Sequence, residues 1–252
     1  MDYVMGFFIA AAIGLTGVGG GTLTVPLLIL ILGTPAAESV GTALLFVTFT
    51  KLLATPVYFL RGQINWRIAG LLTLGGLPGV VLGSVVLARM KSSNLQPLVL
   101  TVVGLTVVLI AALGLWKLLR TREHAVGRPR NGWLPWLAFP IGMEVGFSSA
   151  GAGALGTLVL MECTSLNTGS VVGTDLVFGL ILSAVGGGLH FASGNLNTAL
   201  LLHLCLGGIL GSALGAWLGT WIPSRPLRAA LTAFLVLLGG QLVWRGFQML
   251  VQ

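Results

Sequence analysis

Three ionisable side chains stand inside strongly apolar sequence: Lys51, Glu144 and Asp175. A charge at membrane depth is costly, and by default such residues bind or relay ions. Lys51 reads two ways, as a cation that attracts an anionic substrate, or as a lysine paired with a carboxylate such as Asp175 or facing a polar cavity. Asp175 could carry a coupling proton or cap the N-terminus of its helix. Glu144 lies one turn before a glycine-rich segment, so its protonation could be linked to substrate; an interfacial position is the other reading. Glu38 and Glu162 fall near the ends of apolar stretches and read as solvated.

Two glycine turns suggest a second kind of chemistry. Gly17-Val18-Gly19-Gly20-Gly21-Thr22 is followed by an apolar run with Pro26, and Ser148-Ser149-Ala150-Gly151-Ala152-Gly153 is followed by another. A glycine turn leading into a half-helix offers free N–H groups and the positive end of the helix dipole, which suits an oxyanion. Glycine also lets a ligand approach without a Cβ in the way. The plain alternative is that the glycines only permit tight packing. The expected substrate-binding set is Gly19, Gly20, Gly21, Thr22, Thr42, Lys51, Ser148, Ser149, Gly151, Ala152, Gly153 and Thr174, with Glu144 and Asp175 as candidate proton carriers. No metal site and no cofactor are expected.

Rival chemistries fit less well. Gly146-Phe147-Ser148-Ser149-Ala150-Gly151 puts serine between glycines, and His190 and His203 follow, so an intramembrane hydrolase using Ser148 with a histidine is the enzyme alternative. Ala150 breaks the Gly-x-Ser-x-Gly elbow. An ion channel would need acidic or carbonyl-lined rings, and six scattered acidic residues support that poorly. His190, near a helix end, is expected at an interface; His203 is expected to be buried packing.

Composition dictates what must position these groups. Of 252 residues, 56% are hydrophobic and 8% charged, too few charges to cover a soluble domain, where roughly 25% is usual. Soluble enzymes and nucleic-acid modules are excluded on that ground, and the +7 balance serves orientation rather than a polyanion. Cys163 and Cys205 form no CxxC and read as small packers. The first apolar stretch has no basic n-region and is expected to be retained. Six apolar stretches are long enough to span: 40–60, 68–88, 97–119, 172–191, 198–221 and 227–244. Each set of three follows a shorter segment broken at a glycine turn. The arms of that segment reach only about 15–21 Å, short of the roughly 30 Å core.

A constant shift of 132 residues superposes the halves without a gap. It pairs Gly14 with Gly146, Gly19 with Gly151, Gly21 with Gly153 and Leu23 with Leu155. It also pairs Val40-Gly41-Thr42 with Val172-Gly173-Thr174, Phe46 with Phe178, and Gly62 and Asn65 with Gly194 and Asn197. Gly75, Gly76, Gly79 and Gly83 meet Gly207, Gly208, Gly211 and Gly215. The expected organisation is a first transmembrane repeat over 1–119, a basic cytoplasmic linker over 120–132 and a second repeat over 133–252. The fold class is an all-α membrane protein of two homologous repeats in inverted topology, each a broken or re-entrant helical hairpin plus three transmembrane helices. Inversion leaves nine Lys and Arg on the linker side and three on the other, against eight and four for parallel repeats. The positive-inside rule thus favours inversion, with both termini extracytoplasmic.

The segment Gly17-Val18-Gly19-Gly20-Gly21-Thr22-Leu23-Thr24-Val25-Pro26, with Val40-Gly41-Thr42, the glycine-rich helix over 75–83 and their repetition, resembles the TauE/SafE sulfite exporter family, also called the toluene sulfonate uptake permease family. The second copy departs from the pattern, with Gly151-Ala152-Gly153-Ala154 for Gly-Gly-Gly-Thr and Leu158 in place of Pro26. The resemblance implies an inner-membrane carrier of small sulfur-containing anions, sulfite or organosulfonates such as sulfoacetate, working by efflux. Alternating access, rocking one repeat against the other, is the expected mechanism. The partners expected are the anion and the lipid bilayer, with a homodimer left open and no nucleic acid.

Overall fold

The computed structural model describes residues 2–16, 20–90, 95–119, 131–219 and 224–251. Ten α-helices fill these residues: α1 Asp2–Thr16, α2 Gly20–Ile31, α3 Ala36–Leu60, α4 Trp66–Arg89, α5 Gln96–Leu119, α6 Leu134–Ser148, α7 Gly151–Cys163, α8 Thr168–Ala192, α9 Thr198–Gly219 and α10 Ser224–Val251. A 3-10 turn, Asn131–Trp133, leads into α6. Of the expected elements, the linker over 120–130 and Gly19 lie outside the described residues. By length and composition, four stretches among those described can cross a membrane: Ala36–Leu60, Trp66–Arg89, Gln96–Gly114 and Gly169–Ala192, with mean hydropathies of 1.7 to 2.5. Their outer faces carry large exposed apolar side chains such as Leu60, Leu74, Leu105 and Leu109. In water such a surface would aggregate; against lipid it is the expected face. Trp66, Trp133 and Trp136 are exposed at helix starts, where amphipathic rings anchor at a membrane interface.

Helix starts recur at the 132-residue interval for α1 and α6, α3 and α8, and α4 and α9. The cause is visible at the turns. Gly62 (φ 65°) and Gly194 (φ 68°) end α3 and α8 in the left-handed conformation that glycine alone adopts without penalty. Gln63 N–H then closes on Tyr58 O at 3.0 Å, and Asn195 N–H on His190 O at 2.8 Å, a Schellman closure in both copies. Two residues on, the Asn65 and Asn197 side chains accept from Ile68 and Leu200 N–H and start α4 and α9.

Packing crosses between the halves. In α3 and α8, Gly41 abuts Asn195, Leu44 meets Gly186, Thr48 bonds Ser183 and Tyr58 meets Gly173, so the two helices run antiparallel. Helices α5 and α10 do the same, Gly104 lying against Val243 and Gly246 against Pro97 and Thr101. By contrast α4 and α6 run parallel: Gly75, Gly79 and Gly83 sit on the backbone of Pro135, Phe139 and Met143. Gly207 and Gly211 of α9 sit likewise on Tyr3 and Phe7 of α1. A Cβ at Gly75, Gly79, Gly83, Gly207 or Gly211 would overlap the facing carbonyl, so small residues set the approach. Phe46 packs on Gly208 and Phe178 on Gly76, both rings fully buried, as core side chains.

These directions place the broken segments. Helix α6 begins beside Gly75, in the half of α4 nearer its start, and the chain returns through α7 to the start of α8. Helices α1 and α2 do the same towards the opposite end: α1 begins beside Gly207, in the half of α9 nearer its start, and α2 finishes just before the start of α3. Each broken segment is therefore a hairpin of two short helices. The hairpin tips meet, with Gly21 pressed so closely on the Ser149 backbone that no Cβ would fit.

Candidate functional site at the hairpin tips

The second tip is built by a break after Ser148. Ser149 takes a left-handed conformation (φ 65°), the only such non-glycine among the described residues, while its N–H still caps Val145 O at 2.9 Å. A non-glycine residue there stores roughly 1–2 kcal/mol of strain. Its counterpart in the first half is Gly17. Ser148 donates to the Glu144 carboxylate one turn back and accepts from Ala150 N–H at 3.2 Å, so both its hydrogen-bonding roles are used locally. Glu144 also bonds Thr106 of α5 and lies against Gly151. The Ser149 hydroxyl, beside Gly21, is buried with no partner.

At the first tip, Gly20, Gly21 and Thr22 form the opening turn of α2, all buried. Gly20 rests on Val47 of α3, and Lys51 lies one turn further along that helix on the same side. Lys51 is 7% exposed, and its Nζ has no hydrogen-bond partner. Opposite it electrostatically is Asp175 of α8, but no ion pair forms within 4.0 Å. Asp175 is 6% exposed, rests on Gly156 of α7, and is bonded by Thr157, while its Oδ1 is unpartnered. The fold thus brings together Gly20, Gly21, Thr22, Lys51, Glu144, Ser148, Ser149, Gly151 and Asp175. Gly153 and Ala152 lie in the first turn of α7, where the Gly153 carbonyl accepts from Thr157 at 2.7 Å.

Thr42 and Thr174 are elsewhere. Each is fully buried near one end of the molecule and accepts the N–H of the capping asparagine of the other half, Thr42 from Asn197 at 3.2 Å and Thr174 from Asn65 at 3.0 Å. They tie the halves together.

Several expectations are corrected. Asp175 does not cap α8; Asn167 does, accepting from Ser170 N–H at 2.8 Å, and Asp175 lies two turns inside the helix. His190 is not interfacial. It is fully buried, with Nε2 3.0 Å from Gly146 O, because α6 packs across the end of α8. His203 is not buried packing: it is part-exposed and 3.2 Å from Asp2. Neither histidine hydrogen-bonds Ser148 among the described residues: His190 holds the Gly146 carbonyl, His203 lies against Asp2, and the Ser148 hydroxyl is taken up by Glu144 and Ala150 N–H. Thr106 and Thr157 escaped notice in the sequence; their signal was a hydroxyl within an apolar helix.

The family comparison fits this arrangement. The model described as "Sulfite exporter TauE/SafE" matches residues 3–242. The chain belongs to that family. It is similar over 95% of its length to a probable membrane transporter protein, YjnA, of Bacillus subtilis, at 27% identity and across 98% of that protein. A second Bacillus subtilis relative, the probable membrane transporter protein YunE, is 25% identical with 96% of each chain covered. A probable membrane transporter protein of Xylella fastidiosa is 36% identical over 107 residues, 42% of this chain and 40% of the relative. No solved structure matches. Family membership and the apolar helices together make this a membrane-embedded transporter.

Proposed function

We propose that the chain is a secondary transporter that moves small sulfur-containing anions, sulfite or an organosulfonate such as sulfoacetate, out across the inner membrane. The observation that carries this reading is the buried ammonium of Lys51, left without a hydrogen-bond partner one turn along α3 from Val47, on which the start of α2 rests. An unpaired charge at this depth costs several kcal/mol and is retained where something else neutralises it. An oxyanion would do so, taking its remaining hydrogen bonds from N–H groups at the starts of α2 and α7 and from the Ser149 hydroxyl.

An inverted reading of the two repeats supports transport. The equivalent pairs α3–α8 and α5–α10 run antiparallel, and α1 starts at the end where α10 finishes. On this reading the two hairpins are re-entrant from opposite faces and meet in the bilayer, with repeats 1–119 and 133–252 joined by the linker. Arg61 and Arg67 fall at the linker's end and Arg89 and Arg245 at the other, compatible with a cytoplasmic linker and extracytoplasmic termini. Alternating access would then work around the tips. Because α4–α6 and α1–α9 cross the repeat boundary, each moving body combines helices of both repeats.

Proton coupling is part of the proposal. The single hydroxyl protons of Thr157 and Thr106 go to Gly153 O and Val103 O, so these threonines offer Asp175 and Glu144 a lone pair, which a protonated carboxyl would use. Purified protein in liposomes should move labelled sulfite or a labelled sulfonate, faster under an imposed pH gradient. Equal flux from Gly20→Leu protein would remove the tips from the mechanism.

A further inference from the structure

At the end of the molecule where the chain begins, far from the start of α6, the starts of α3 and α5, the end of α4 and the α8–α9 turn enclose a cavity of about 150 Å³. Its polar lining is Glu38, Gln96 and Asn195; Leu87, Met90 and Val99 supply apolar wall. Asn195 is 2% exposed, and neither its Oδ1 nor its Nδ2 has a partner. Its backbone is fixed in place. Its N–H is held by His190 O at 2.8 Å, and its carbonyl is pressed against Gly41. Buried amides are almost always satisfied, so one left unsatisfied at the wall of a cavity marks a place where a polar ligand sits.

The second half supplies an internal control. At the 132-residue shift, Glu38 becomes Ser170, Gln96 becomes Arg228 and Asn195 becomes Gln63. In sequence the second copy carries no carboxylate at these positions and an arginine at one of them. The Gln63 amide packs on Gly169 instead. Only the first copy has donors suited to a positive ligand.

We propose that this cavity binds a small monovalent cation, held by the Glu38 carboxylate and Asn195 Oδ1, with Gln96 beside them. Carboxylate and amide oxygens are hard donors. One carboxylate balances one charge, whereas a divalent ion draws six or more oxygens and usually several carboxylates. No cluster of three or more His, Cys, Asp or Glu exists among the described residues. A water occupies about 30 Å³, so the space admits a cation with part of its hydration shell, and Asn195 Nδ2 can donate to one of those waters. None of these residues belongs to the hairpin tips, so the proposal stands apart from the anion reading.

The test is thermal unfolding of the full chain in detergent, in NaCl, KCl or LiCl against N-methyl-D-glucamine chloride at constant ionic strength. One of the small cations should raise Tm by several degrees along a saturable curve, as a ligand of the native state does. Glu38→Gln should abolish the shift, Asn195→Ala should move its midpoint at least tenfold, and Ser170→Ala should leave it unchanged. Should Asn195→Ala not purify as a single species, Glu38→Gln, altered only at a half-buried carboxylate, carries the test. Identical curves in all four salts, or a wild-type shift in Glu38→Gln, would overturn the proposal.

Discussion

At matched positions the two halves use the same residues for backbone work and different ones for charge. Gly62 and Gly194, Asn65 and Asn197, Thr42 and Thr174, and Phe46 and Phe178 repeat in type and in contact. Lys51, however, stands opposite Ser183, Asp175 opposite Ala43, Glu144 opposite Ala12 and His190 opposite Tyr58. A duplicated scaffold constrains both copies through packing, since each glycine must admit the other half's backbone. No such reciprocity binds the polar groups, which have diverged until the cation lies in one half and both buried carboxylates in the other. The binding region is asymmetric within a symmetric frame.

The strongest test of that asymmetry is Lys51→Met. It should lower anion flux at least 100-fold, yet raise Tm by several degrees, because it removes an unpaired buried charge that costs several kcal/mol. Flux in liposomes and a melting curve check both signs. A fall in Tm would mean that Lys51 has a structural partner. Gly21→Ala comes next: its Cβ overlaps the Ser149 backbone, and over-packing of this kind costs about 1–3 kcal/mol with loss of transport. Gly188→Ala, which meets open space within α8, should be neutral or stabilising by up to about 1 kcal/mol. Asp175→Asn should leave the fold intact and remove the dependence of flux on an imposed pH gradient. On the symmetric side, Thr42→Val and Thr174→Val should each cost about 1 kcal/mol, the worth of one hydrogen bond, and by equal amounts. Unequal losses would show that the frame has diverged too. Ser149→Gly acts in the opposite sense, a gain of about 1 kcal/mol from released strain, read as a slight rise in Tm.

Much of the frame was legible because its signals are local. A glycine at a helix end, an asparagine three residues later and an apolar run define a turn and a start wherever they occur, and their recurrence at a fixed interval exposed the duplication. The hairpin tips were legible for the same reason, as Gly20 and Gly21 oppose a continuous helix. What stayed hidden depends on partners distant in sequence. His190 looks interfacial until the Gly146 carbonyl arrives from α6, and Asp175 looks like a cap until α7 lays Gly156 and Thr157 beside it. Thr42 and Thr174 read as free hydroxyls, because nothing near them in sequence reveals the asparagine N–H that each accepts.

The glycine-lined pairing of α1 with α9 also governs how the chain is made. The face of α1 that carries Tyr3 and Phe7 waits for Gly207 and Gly211, some two hundred residues later in synthesis, and α4 waits for α6. During biosynthesis the first half therefore holds incomplete interfaces until the second emerges. Either half released alone lacks these partners. Two fragments divided at the linker would have to be inserted together, each serving as the other's folding template.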